Sequence, residues 1–192
     1  DLGCGLARGG WRKYDGPERS PTRCDAWPTV YAKVLDTDHT DIAVVMSGQW
    51  ELVDRRLPGD SIWRHDGDQR LDDYLRGEFL AATDVQAPRG AAVVWLSVPN
   101  FGVAAEGRTP ADLRASHACS RVDRLNEIIA EVVAARPGVA ELIDLAGWTS
   151  ERVDDASIRA DGAHFNDDKA NPVGEWLGSQ LTSLWQRKEF GG

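Results

Sequence analysis

The chain has 192 residues, 42% of them hydrophobic, and a formal net charge of −9, which fits one domain with a sizeable core. Its basic residues are scattered, as in Arg55-Arg56 and Arg187-Lys188, so no basic stripe exists to release counterions, and neither nucleic acid nor an anionic membrane surface is an expected partner. No run of ~18 apolar residues occurs, so nothing in the sequence has the pattern of a membrane-spanning helix.

Residues 1–23 read as loop, because Gly3, Gly5, Gly9, Gly10, Gly16, Pro17 and Pro21 leave little room for regular structure. Cys4 and Cys24 flank this loop. A disulfide between them would close ~20 residues and contribute roughly 3 kcal/mol by restricting the unfolded chain; two free thiols in a reducing compartment are the alternative. From Asp25 a helix is expected, with Trp27, Val30, Tyr31, Val34 and Leu35 at helical spacing and Pro28 tolerated in its first turn. Asp41 to Gly48 is a continuous apolar run ended by glycine, the pattern of a strand covered on both faces in a parallel sheet.

A charged loop over 51–68 leads into a helix from Gln69 to Val85, whose apolar face is Leu71, Tyr74, Leu75, Phe79 and Leu80. Ala91 to Val98 repeats the buried-strand pattern and stops at Pro99. An amphipathic helix follows, from Ala111 or Ser116 to Arg136, with Cys119 expected as a buried, unpaired residue and Pro137-Gly138 as the stop. Val139 to Leu145 is the third buried strand, and a last helix is expected from Asp167 to Gln186. Strands and helices alternate at βαβ spacing, which implies a parallel sheet with right-handed crossovers. Three parallel strands make a thin sheet with exposed edges, so a further strand or two is expected before Gly3. The chain starts at Asp1 and is expected to be a processed form or an excised, incomplete single domain over 1–192.

Reactive groups in such sheets gather beyond the carboxyl ends of the strands. There the sequence offers Asp161-Gly162-Ala163-His164, followed by Phe165 and Asn166. An aspartate three residues before a histidine can grip the imidazole, fix its tautomer and support the cation formed when the ring takes a proton. His164 is therefore the candidate general base and Asp161 its orienting group.

These motifs together resemble an SGNH (GDSL-like) hydrolase, and in particular the extracytoplasmic SGNH domain fused to membrane acyltransferases of the acyltransferase-three family. The resemblance runs in order along the chain: Gly3-Cys4-Gly5, then Cys24 with Trp27, then Ser47-Gly48-Gln49-Trp50-Glu51. After these come Val98-Pro99, a helix with Arg121 and Asn126, and Asp161-Gly162-Ala163-His164-Phe165. It implies an α/β fold, a flavodoxin-like three-layer α/β/α sandwich with a five-stranded parallel sheet, here lacking its first strand. It also implies hydrolysis or transfer of O-acyl groups on cell-surface glycans, with no cofactor, in an extracytoplasmic domain tethered to a membrane acyltransferase domain of the same polypeptide. The family's nucleophilic serine closes the first strand, so it is expected upstream of Asp1. Gly5, or less favourably Gly3, is the candidate oxyanion donor, and Gly48, Gln49, Trp50 and Glu51 are candidate pocket residues. Trp50 stands where many relatives carry asparagine. The alternative from another class is a non-catalytic glycan-binding module that lacks the nucleophile and uses some of the eight tryptophans against sugar rings.

Other candidates read as ordinary structure. Gly59-Asp60-Ser61 spells a serine block but follows no buried strand, so Ser61 is expected to be a loop residue; Ser47 is a weaker candidate still. Asp36, Asp38, His39 and Asp41 read as a solvated turn, as do His65, Asp66 and Asp68, and His117 as a helix start.

Overall fold

The structure, a computed structural model, describes residues 4–13, 16–87, 90–102, 104–105, 116–166 and 171–190. Gly3, the possible helix start at Ala111 and the start of the last helix at Asp167 lie outside these residues. The central sheet has three parallel strands in the order β3 (Ile42–Met46), β5 (Ala92–Leu96), β6 (Ala140–Ile143). Val45 stands beside Trp95, which stands beside Leu142, so one register runs across all three strands.

Helices cover both faces. Against one face lie α4 (Gln69–Gln86) and α5 (Cys119–Ala134). Leu71, Leu75 and Phe79 of α4, and Leu125, Ile128 and Ile129 of α5, pack there on Val45, Val93 and Trp95. Asp68 caps α4 by accepting from the amides of Arg70 at 3.0 Å and Leu71 at 3.3 Å, which satisfies donors that a helix start otherwise leaves open. Against the other face lie α6 (Leu145–Ser150) and α7 (Asn171–Phe190), where Leu145, Val173 and Leu184 meet Val94, Leu96 and Ile143. The result is the expected α/β/α layering around a parallel sheet. Among the described residues no helix is long and apolar enough to cross a membrane.

Residues 4–13 and 16–23 are more ordered than their composition suggests. β1 (Trp11–Lys13) pairs antiparallel with β2 (Pro17–Arg19) and with β4 (Arg55–Arg56), which lies in the stretch expected to be loop. Strands of two or three residues carry no detectable alternation, so periodicity missed them. α1 (Thr22–Asp25) precedes α2 (Trp27–Asp38), and α3 (Gln49–Leu52) follows β3.

Three expectations of burial fail. Along β3 only Ala43 and Val45 are buried, while Val44 is 42% and Met46 57% exposed. β3 is an edge strand, and on its second face only Ile42 is packed against the neighbouring cluster, while Val44 and Met46 are left exposed. On α2, Trp27 and Leu35 are buried but Val30 and Val34 face solvent. Cys119 is exposed, not buried, because it sits in the first turn of α5.

Candidate active site

Three loops leave the carboxyl ends of β3, β5 and β6, and side chains fix the start of each. At β5, Asn126 of α5 holds both backbone groups of Val98: its Oδ1 accepts from Val98 N at 2.7 Å and its Nδ2 donates to Val98 O at 3.0 Å. Ser97 Oγ donates to Asp144 Oδ1 at 2.8 Å and accepts from Ala146 N at 2.8 Å, tying the ends of β5 and β6 together.

The segment following α6 carries the base. Asp161 Oδ1 accepts from the amides of Ala163 at 2.8 Å and His164 at 2.7 Å. Its Oδ2 lies 2.7 Å from His164 Nδ1. With the carboxylate as acceptor, Nδ1 carries the proton and Nε2 keeps its lone pair. Burial pushes the Asp161 carboxyl up, but the hydrogen bonds from the His164 ring and the two amides outweigh it and hold the group well below the usual carboxylate range. The His164 side chain is 80% exposed, so Nε2 is open to a reacting group.

Arg159, which the sequence did not single out, holds this loop in place together with Gly162 and Asn166 of the motif itself. Arg159 is buried, donates to Asn100 O at 2.6 Å and to Ala163 O at 2.9 Å, and lies over the Phe165 ring. Asn166 accepts from Ala160 N at 3.0 Å and donates to the carbonyls of Ala156 and Ser157. Gly162 adopts φ +74°, and a Cβ there would press on the Ala105 backbone. Gly102 N donates to Gly162 O at 2.8 Å, which joins the loop after β5 to the base loop. Phe101 stacks on His117 with ring centroids 3.8 Å apart, and His117 Nε2 lies 3.4 Å from Gln49 Nε2. His117 is thus not a plain helix start: it is buried and bridges the ends of β3 and β5. Only an unpaired aromatic two residues after a proline hinted at its neighbour Phe101.

Gly5 and Glu51 meet. Glu51 is buried and its Oε1 accepts from Leu6 N at 2.5 Å and Ala7 N at 3.4 Å. Its Oε2 accepts from Ser47 Oγ at 3.0 Å and Gly48 N at 3.4 Å. Glu51 therefore clamps the Cys4–Ala7 loop to the end of β3 and does not line an open pocket. A Cβ at Gly5 would collide with Glu51 Oε1, so this close approach requires glycine. The amide of Gly48 is engaged by Glu51, whereas that of Gly5 makes no hydrogen bond among the described residues. The Cys4–Cys24 disulfide forms and anchors the same loop to α1. Trp50 is half-buried, with the Arg12 guanidinium 4.0 Å from its ring centroid. Ser47 is buried with its hydroxyl committed to Glu51, and Ser61 is an exposed loop residue.

No family model matches the sequence, and no curated protein matches it either. Among solved structures, the lipase/acylhydrolase from Enterococcus faecalis superposes with a TM-score of 0.53 over 82% of this chain and 71% of that one. The chain shares its fold with this protein. At 17% identity the likeness is one of fold, and the chemistry rests on the side chains above.

Proposed function

We propose that the chain carries the base half of an ester-hydrolysing or acyl-transferring site, with His164 as general base and Asp161 orienting it. The observation that carries this reading is the 2.7 Å contact between Asp161 Oδ2 and His164 Nδ1, made on a braced loop with Nε2 left open. The nucleophile is a serine hydroxyl borne by a strand that adds to the free edge of β3. Supporting this are the exposed apolar Val44 and Met46 on that edge strand and the exposed Val30 and Val34 of α2. A parallel strand there would end at the same carboxyl end of the sheet as the strand that leads to the His164 loop.

In the first step His164 Nε2 takes the serine proton as Oγ attacks the ester carbonyl. The imidazolium then returns that proton to the departing alkoxide, leaving an acyl-serine. In the second step water or a sugar hydroxyl gives its proton to Nε2 and takes the acyl group, and the imidazolium returns that proton to the departing serine Oγ. The substrate class is O-acylated glycan at the cell surface, and the chain works beside a membrane acyltransferase domain of the same polypeptide. A disulfide fits such an extracytoplasmic setting.

Hydrolysis of a p-nitrophenyl ester tests the reading. A polypeptide extended by an apolar strand ending in Gly-Asp-Ser is expected to turn it over, and the 192-residue chain alone is not. Glycan binding without ester turnover by the extended polypeptide would favour a non-catalytic glycan-binding module instead.

A further inference from the structure

One buried acid takes no part in the site above. Asp66 is only 6% exposed, and among the described residues neither of its carboxyl oxygens has a hydrogen-bond partner. It lies in the loop between β4 and α4, next to His65, whose Nδ1 lies 2.8 Å from the Asp66 carbonyl. The charged groups that act on it come from three elements: Glu51 of α3, Asp72 of α4 and Arg121 of α5. Of these, Arg121 alone is attractive. It is already engaged, donating to Leu52 O at 2.9 Å and pairing with Asp54 at 2.8 Å. Asp72 is likewise occupied, by Arg124 at 2.8 Å and Gly67 N at 2.9 Å. An ionised Asp66 would therefore place a second negative charge near Glu51, eased only by Arg121 and by its own backbone amide and held by no side-chain hydrogen bond.

Glu51 is the clamp on the Cys4–Ala7 loop. We propose that Asp66 is a protonation latch: its neutral carboxyl permits the Glu51 clamp, and its ionisation loosens the loop that presents the Gly5 amide. Burial supports this by pushing the Asp66 carboxyl up to about 7, against the weaker opposing pull of Arg121. The sign follows from the raised value. The stability that depends on neutral Asp66 is complete below the unfolded carboxylate value and is lost as pH rises to about 7. Carboxylates held low, such as Asp161, work in the opposite direction at more acid pH, so the latch is read as a difference between variants.

Hydrogen exchange of the Leu6 and Ala7 amides tests the latch without reference to any activity. In the native chain their protection, corrected for intrinsic exchange, is expected to fall between pH 5 and pH 8. In Asp66→Asn, which copies the neutral acid, protection should stay level. The thermal midpoint of the native chain should also drop relative to that variant over the same range. Identical profiles in the two proteins would overturn the proposal. Should Asp66→Asn fail to fold, the carboxyl carbon shift of Asp66 in the native chain decides: a titration midpoint near neutrality supports the latch, and one below pH 5 overturns it. Neither outcome bears on the role of His164.

Discussion

Both oxygens of Asp161 are engaged within three residues of their own position, one by two amides and the other by the His164 ring. The contact is local, and the loop that carries it is braced from outside by Asn100 and Gly102 of the loop after β5. In the serine-extended polypeptide, His164→Ala should lower kcat for ester hydrolysis by roughly 10³- to 10⁴-fold, and Asp161→Asn by roughly 10²- to 10⁴-fold, with KM little changed. Equal turnover in His164→Ala and the parent would remove the base assignment. The depressed Asp161 carboxyl also contributes stability that is present above the ordinary carboxylate value and lost as pH falls below it. Accordingly the stability deficit of Asp161→Asn should shrink in acid, as followed by urea unfolding from pH 7 downward. At Gly5, the collision of a Cβ with Glu51 predicts that Gly5→Ala costs about 1–3 kcal/mol, readable as a lower thermal midpoint.

Elements differ in how completely they are covered. β5 is buried along its whole length, whereas β3 buries only alternate residues. The helix α5 shows what full cover requires: Val122, Leu125, Ile128, Ile129 and Val132 all lie in the core, each contributing about 1.5–3 kcal/mol by leaving water. Leu125→Ala should therefore cost about 2–5 kcal/mol by chemical denaturation. On the free strand the outcome depends on context. Val44→Lys and Met46→Lys should each change the stability of the 192-residue chain by no more than about 0.5 kcal/mol. In the serine-extended polypeptide the same changes should cost more, since the added structure would enclose the charge. Equal costs in both proteins would argue against a strand at this edge.

At the scale of the whole molecule, the three-layer architecture was legible because apolar runs and amphipathic helices report burial through period alone. Val93 to Leu96 and the α5 stripe are such cases. What escaped was set by contacts distant in sequence. Arg159 reads as a surface arginine until Asn100 and Ala163 receive it. Glu51 reads as solvated until Leu6 and Ser47 converge on it. The exposed side of β3 could not be separated from a buried one, because Val44 and Met46 are as apolar as their neighbours. The Cys4–Cys24 bridge closes 20 residues of the least regular part of the fold. Its reduction should remove roughly 3 kcal/mol, which for a chain of this size lowers the thermal midpoint by roughly 6–12 °C.

The chemistry proposed for this site depends on which nitrogen of His164 carries the proton. Long-range ¹⁵N–¹H NMR of the 192-residue chain, recorded at a pH where the imidazole is neutral, reads this tautomer directly. The structure requires the proton on Nδ1, and Asp161→Asn should shift it toward Nε2. A native ring protonated at Nε2, or one indifferent to the Asp161 substitution, would contradict it.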